Sequence, residues 1–325
     1  MLHVRVVCPA AVTRSLTDRL AAAPGVHNVV VRAGAARRPD GDAVEFDVRD
    51  AAANPVFTGL RGLDLDRDSA ICVERVDATL TGQPPLAISH GALRRETAPV
   101  WEMVEAVIRQ GEAYAPSFYV QLAIAALIGA VGILTTSEIL IVGAMVVGPE
   151  YNAIIGVALG ITKRAQTEMR DGLLALWWGF LAAIVVSFLF GIAVRGSGKT
   201  PTAYLKGVRP VADLINTPNI FSVIVAVLAG LVGVVSLTEA RANALIGVFI
   251  SVTTIPAAAS VGVSVAYTSW GEARGSVFQL LLNVILLIAV GAAGLRTQRA
   301  IWGSSAAGDP PGSRWLRRWD RDRAL

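Results

Sequence analysis

Cysteine and histidine are scarce in this chain, two and three residues among 325. Cys8 and Cys72 have no metal-ligand spacing around them, and His3 and His27 stand apart from any acidic or cysteine cluster. No metal and no cofactor is therefore expected. Charged residues make up only 17% of the chain and aromatic residues 6%. No Cys/His/acid constellation suggests hydrolysis, so an enzyme is not expected either. Gly198-Lys199-Thr200 has the ending of a phosphate-binding loop, but Ala193 stands where its first glycine belongs and an apolar segment precedes it instead of a strand. The formal charge of +4 is modest and gives little support for a nucleic-acid partner. The N-terminus, MLHVRVVCPAAVTR, lacks the apolar core of a signal peptide, so export is not expected.

What the chain has in excess is apolar sequence: 54% of its residues are hydrophobic and the mean hydropathy is +0.55, outside the soluble range. The excess is concentrated after residue 117. Gln121 to Ile161 is a run of 41 residues with only two charged side chains, Glu138 and Glu150. At about 1.5 Å per helical residue this run is too long for one crossing of a roughly 30 Å hydrocarbon layer and right for two. Thr135-Thr136-Ser137-Glu138 is the natural turn between them. The second helix, Glu138 to Ile161, then carries Val147-Gly148-Pro149-Glu150-Tyr151-Asn152 near its middle. Further spans are expected at Gly172 to Val194, Asn219 to Ser236, Asn243 to Tyr267 and Gly275 to Leu295, six crossings in all, with Lys163 to Asp171 a charged loop.

The two halves of this region resemble each other. LIGAVGILTTSE (Leu127 to Glu138) aligns without a gap to LAGLVGVVSLTE (Leu228 to Glu239), and the Pro149 region falls opposite the Pro256 region. Each half holds three crossings, so duplication predicts a 3+3 inverted repeat. The membrane domain is expected over residues 118–295, with repeats at about 118–194 and 219–295, followed by a basic tail over residues 296–325. Lys163, Arg164, Arg170, Arg241, Arg296 and Arg299 mark one side of the membrane, joined by Arg314, Arg317, Arg318, Arg321 and Arg323. Both termini are therefore expected in the cytoplasm. Lys199 and Lys206, in the longest connection, argue the other way. Trp302, Trp315 and Trp319 among the tail arginines suit an anionic headgroup surface or a solvated tail.

Before the membrane region, residues 1–80 read as a soluble domain. Leu2 to Cys8, Val26 to Arg32, Val44 to Val48 and Ala70 to Val76 alternate as strands, and Ala11 to Ala22 and Pro55 to Leu65 read as helices. The order βαββαβ predicts a ferredoxin-like domain, an antiparallel four-stranded sheet with two helices on one face. Residues 81–117 are linker plus an amphipathic helix at Glu96 to Tyr114, its stripe formed by Val100, Met103, Val104, Val107 and Ile108.

Glu150 is the acidic residue well inside a predicted span. A lipid-facing carboxylate there costs about 2–4 kcal/mol, so it is expected to face protein or water, or to be protonated. A helix broken at Gly148-Pro149 would free backbone groups beside Glu150, Tyr151 and Asn152, and Ser251, Thr253, Thr254 and Pro256 stand opposite in the second repeat. Pro149, Glu150, Tyr151, Asn152, Ser251, Thr253, Thr254, Pro256 and Asn283 are the candidate residues for binding a substrate or ion. Ser260 and Ser264 follow Pro256. Two kinked but continuous helices with a structural Glu150 remain the alternative. Glu138 and Glu239, at helix junctions, are expected to be structural.

IVGAMVVGP (Ile141 to Pro149), IIGVALG (Ile154 to Gly160), NALIGVFIS (Asn243 to Ser251), Pro256 and Asn283 together resemble the prokaryotic membrane family catalogued as domain of unknown function 389. The resemblance covers most of Tyr119 to Leu295 and extends to the N-terminal α/β module. It implies an integral protein of the plasma (inner) membrane, without a settled activity. Ala153 and Ala257 depart from the family's proline pattern, and Glu150 is an unusual polar choice. The leading expectation is secondary transport of a small polar or ionic solute, coupled to protons or a monovalent cation. A non-transporting sensor or assembly platform, using the N-terminal domain for ligand binding or dimerisation, is the alternative, and a passive channel is third. The lipid bilayer and a second copy, as a homodimer, are the expected partners.

Overall fold

The computed structural model describes residues 1–61, 63, 69–76, 101–111, 114–206, 215–217, 219–238 and 254–307. The chain divides into two compact units, Met1–Val104 with Arg299–Leu325, and Glu105–Gln298. The linker motif Thr81 to Pro85, Arg241, Asn243 to Ser251 and the tail after residue 307 lie outside the described residues.

In the first unit the order is β1 (Leu2–Cys8), α1 (Ala10–Ala22), β2 (Val26–Arg37), β3 (Asp40–Val48), α2 (Asp50–Arg61) and β4 (Ala70–Arg75). The strands form one sheet in the order β2-β3-β1-β4, every pairing antiparallel. Alternation decides its buried face: Leu2, Val4, Val6 and Cys8 of β1 and Val44, Phe46 and Val48 of β3 point inward onto Leu16 and Leu20 of α1 and Val56, Phe57 and Leu60 of α2. Three boundaries differ from expectation, the first being β3, which already begins at Asp40. β2 continues past Arg32 to Arg37, because its pairing with β3 persists beyond irregularities at His27/Val30 and Arg32/Ala36. Helix α2 starts at Asp50 and carries Pro55 inside it. Its stripe of Ala53, Val56, Phe57 and Leu60, buried against the sheet, outweighs the proline's preference for a first turn.

Asp42 is fastened between elements. The Gly34 amide donates to Oδ1 at 2.8 Å and the Thr13 hydroxyl to Oδ2 at 2.7 Å. These two donors, the amide foremost, hold the carboxyl below its ordinary range against a smaller opposing effect of burial.

The second unit follows α3 (Trp101–Gly111), which begins in the first, and contains α4 (Pro116–Thr135), α5 (Glu138–Val147), α6 (Glu150–Lys163), α7 (Gln166–Gly196), α8 (Thr202–Leu205), α9 (Ile220–Thr238), α10 (Ile255–Ala266) and most of α11 (Trp270–Ala307). Among the described residues four helices, α4, α7, α9 and the Trp270–Ala300 part of α11, are long and apolar enough to cross a membrane, and five spans result if α5 and α6 are one bent crossing. The sixth expected span is described only as α10, since residues 239–253 lie outside the described set. Trp177, Leu181, Val185 and Leu189 on α7, Phe221, Ile224 and Leu228 on α9, and Phe278, Leu281 and Ile285 on α11 are all exposed. Apolar faces of this extent, on helices whose backbone groups are satisfied internally, are lipid-facing. The protein is an integral membrane protein.

The expected charged loop Lys163 to Asp171 is much shorter. Helix α7 already begins at Gln166, so Glu168, Arg170 and Asp171 ride its first turns. Likewise α11 begins at Trp270 and runs on to Ala307.

Helix α7 is the post on which the unit is assembled. A Cβ on Gly172 would lie 2.7 Å from Val157 of α6, and one on Gly262 of α10 would lie 2.5 Å from the Ile184 carbonyl and 2.7 Å from the Phe188 nitrogen of α7. Small residues thus let backbones approach where lipid supplies no hydrophobic drive.

Two predictions follow from this packing. Because a depressed folded pKa contributes stability that is present above the unfolded value of about 3.9 and lost as pH falls through the folded one, Thr13→Val should raise the pH at which β1 and β3 amides lose hydrogen-exchange protection. An unmoved acid midpoint would discount the Thr13 bond. Gly262→Leu should destabilise the purified protein by about 1–3 kcal/mol through overpacking against immovable backbone, read as a lower thermal unfolding midpoint in detergent. Gly143→Ala, with nothing within 4 Å of the added methyl, should not.

Candidate functional site

The turn between the first two spans forms where the sequence places it. Ser137 caps α5, its hydroxyl accepting from the Leu140 amide at 3.4 Å, and Glu138 occupies the first turn. There a carboxylate complements the helix's positive end. Helix α5 then ends at Val147 and α6 restarts at Glu150, bent by 52°. The cause is local: the residue before a proline is driven out of helical conformation, and Gly148 is extended at φ −71°, ψ 128°. Pro149 becomes the residue preceding α6. The expected break at Gly148-Pro149 is present.

Helix α10 opens with Ile255 and has Pro256 in its first turn, with Thr254 before it. Its start meets the start of α6. The Thr254 hydroxyl donates to Oε1 of Glu150 at 2.7 Å. Thr254 is fully buried, and Glu150 is 1% exposed. A Cβ on Gly148 would run into both the Ile255 side chain and the Glu150 carboxylate, so glycine is what lets the two openings close on each other.

From this meeting point the two helices diverge. Ala153 and Val157 of α6 pack on Gly172 and Gly160 packs on Met169, near the beginning of α7. Gly262 of α10 packs on Ile184 and Phe188, and Ala266 on Gly191, toward the end of α7. Helices α6 and α10 therefore run in opposite directions along α7, with their N-termini together beside its middle. Each N-terminus carries roughly half a positive charge, and both flank the Glu150 carboxylate. The arrangement can hold a negative charge, or exchange one, inside the membrane unit.

The other candidates make separate contacts. Tyr151 packs on the same apolar core, and its hydroxyl is buried with no hydrogen-bond partner among the described residues. Asn152 is exposed at the surface of α6 and lies against Gly111 of α3. Asn283 is fully buried on α11, accepting from Gln279 one turn earlier at 3.1 Å. Ser251, Thr253 and Glu239 lie outside the described residues.

A second buried polar group was not foreseen. Asn216 Oδ1 accepts from the Ser260 hydroxyl at 2.8 Å, and the Ser276 hydroxyl lies within hydrogen-bond reach of both Asn216 Oδ1 and, at 2.9 Å, the Ser260 oxygen, its single proton serving one of them at a time. Ser264, one turn beyond Ser260, donates to Glu272 at 3.4 Å. The serines on α10 were visible in the sequence, but Asn216 lies in a connection whose apposition to α11 leaves no local trace. Also unforeseen are the ion pairs of α3: Glu105 with Lys163 at the end of α6, and Arg109 with Glu168 on α7 at 2.9 Å.

These features define a polytopic membrane protein with an interrupted helix and a buried carboxylate at the break. Residues 145–289 match the family model described as Domain of unknown function (DUF389), a stretch that includes Pro149, Glu150, Thr254 and Pro256. No curated protein and no solved structure matches the chain.

Removing the Thr254 donor leaves a buried carboxylate oxygen short of a hydrogen bond, at a cost of about 1–3 kcal/mol. Thr254→Val should lower thermal stability in detergent by that amount, and much less in a Glu150→Gln background. Equal losses in both backgrounds would show that the pair is not coupled.

Proposed function

We propose that the protein is a secondary transporter of a small polar or ionic solute, with its binding position where α6 and α10 begin. The observation that carries this reading is the buried Glu150 carboxylate, bonded by Thr254, at the convergence of two oppositely directed helix N-termini. Discontinuous helices that present their ends to a common point are how transporters place ionic groups inside a membrane. The two positive ends favour a negative charge, and Glu150 supplies it in this state. Protonation of Glu150, or its withdrawal, would open the position to an anionic or polar group of the solute and link transport to a proton or cation.

The opposite courses of α6 and α10 support the 3+3 inverted repeat, since equivalent halves of the second helix must run oppositely in inverted copies. Helices α7 and α11 agree. The end of α7 meets the end of α10, where Arg195 donates to the Ala266 carbonyl at 2.8 Å, just before α11 begins. Late in α11, Arg296 donates to the Ile161 carbonyl at 3.1 Å, beside the start of α7. That bond also gathers Arg296 with Lys163 and Arg164 at one end of the unit, which supports cytoplasmic termini and a prokaryotic inner-membrane orientation. The strand order β2-β3-β1-β4 supports a ferredoxin-like N-terminal module, and the open edges of β2 and β4 support its use in a homodimer.

Purified protein in liposomes should carry a coupled solute flux that Glu150→Gln lowers about ten- to hundredfold, the scale of one charge-assisted interaction. Unchanged flux in that variant would remove Glu150 from the mechanism.

A further inference from the structure

The first unit contains a cavity of about 530 Å³ where β1 gives way to α1, lined by Cys8 and Pro9, by Arg37, Arg38 and Asp40 of the β2–β3 hairpin, and by Ser69 before β4. Four features of its wall converge on one chemistry. Helix α1 starts at Ala10, immediately after the cavity residue Pro9, with no side-chain cap and no acidic residue in its first turn. No side chain caps its leading amides, of which the Val12 amide donates to the Pro9 carbonyl at 2.9 Å, and its positive end faces this cavity residue. The side chains of Arg37 and Arg38 form no ion pair or hydrogen bond with the described residues. The Ser69 side-chain oxygen is buried and has no hydrogen-bond partner among the described residues. Finally, the hairpin is held close to the β1–α1 junction. A Cβ on Gly41 would strike the Cys8 carbonyl, and its φ of +155° is one that L side chains rarely adopt.

The carboxylates nearby do not cancel this wall. Asp42 keeps its negative charge, but that carboxylate is turned to the Gly34 amide and the Thr13 hydroxyl and is not part of the lining. Asp40 is the acidic group of the lining, set against two guanidinium groups, a helix N-terminus and a hydroxyl. Guanidinium forks match the oxygens of a phosphate in pairs, and helix N-termini bind the same group. The volume falls within the roughly 300–1,000 Å³ of small-molecule sites, enough for a phosphate with an organic body attached. We propose that this cavity binds a small molecule through a phosphate group, held by Arg37, Arg38, Ser69 and the start of α1. The site lies in a different unit from Glu150 and does not rest on the transport reading.

The test is equilibrium dialysis of the full-length protein, in a non-ionic detergent, against radiolabelled inorganic phosphate. Saturable binding is expected, weakened about tenfold or more when Arg37→Ala and Arg38→Ala are combined, the scale of losing charge-assisted hydrogen bonds, and weakened less by Ser69→Ala. Arg49→Ala, which removes a charge from the same unit outside the cavity, should bind as the parent protein does. Thermal unfolding curves should establish that each variant is folded, and Arg37→Lys with Arg38→Lys should retain part of the affinity. In nanodiscs, displacement of phosphate by phosphatidic acid, dependent on the same arginines, would identify a lipid headgroup as the source of the phosphate. Undiminished binding there would identify a soluble phosphate compound. Absence of saturable binding, or binding indifferent to both arginines, would overturn the proposal.

Discussion

A carboxylate buried within a membrane protein has to be answered by its surroundings, and the second unit is arranged around the answer given to Glu150. A lipid-facing charge costs several kcal/mol, while one buried in protein is tolerated when hydrogen-bonded and set among favourable dipoles. Thr254 supplies a hydrogen bond at 2.7 Å. The dipoles come from the starts of α6 and α10, and the start of α6 requires a break in what would otherwise be continuous helix. Proline makes the break at Pro149, and glycine at position 148 lets Ile255 and the carboxylate occupy the space beside it. Each residue of Gly148-Pro149-Glu150 thus has a separate physical task, and Thr254 with Ile255 completes them from the other half of the chain.

Holding two helix starts together inside a bilayer needs a rigid reference, because lipid tails offer no hydrophobic reward for helix association. Helix α7 provides it through close approach. Glycines and alanines remove the side-chain volume that would separate α6 and α10 from its backbone, leaving dispersion contacts along most of its length. The same closeness limits how the unit can move. Neither α6 nor α10 can rotate in place against α7 without driving a larger side chain into the gap, so sliding or rocking as rigid pieces is the motion the packing permits.

The parts of this arrangement that were legible in the sequence are those set by local chemistry. The apolar runs, the break at Pro149, the turn at Thr135 to Glu138 and the alternation of Val44, Phe46 and Val48 each follow from a few adjacent residues. Helix ends were less legible, for a specific reason: hydropathy reports where the membrane lies, and helix α7 begins six residues before Gly172 with Glu168, Arg170 and Asp171 in its first turns. Helix α2 also begins earlier than expected: burial of Ala53, Val56, Phe57 and Leu60 extends it upstream of Pro55 to Asp50. Contacts between distant segments were legible only as regions. Glu150 stood out alone in its apolar span and Thr254 was one of three hydroxyl residues, with Ser251 and Thr253, expected opposite it, whereas Asn216 sits among ordinary loop residues and gains its partners, Ser260 and Ser276, only through folding.

The ion pairs of α3 bear on how any motion at the site would be constrained. Glu105 holds Lys163 at the last turn of α6, and Arg109 holds Glu168 at the first turn of α7, so one short amphipathic helix grips both sides of the turn between them. Lys163 also complements the negative end of α6. Partly exposed pairs of this kind are worth roughly 0–1 kcal/mol each, too little to lock the turn but enough to bias it. Gly111 of the same helix receives Asn152 two residues beyond Glu150, which adds a steric contact near the opposite end of α6. A helix touched by α3 at both its first and last turns cannot shift along its axis without disturbing α3. Displacement of α6 in exchange for a bound solute would therefore be felt at α3.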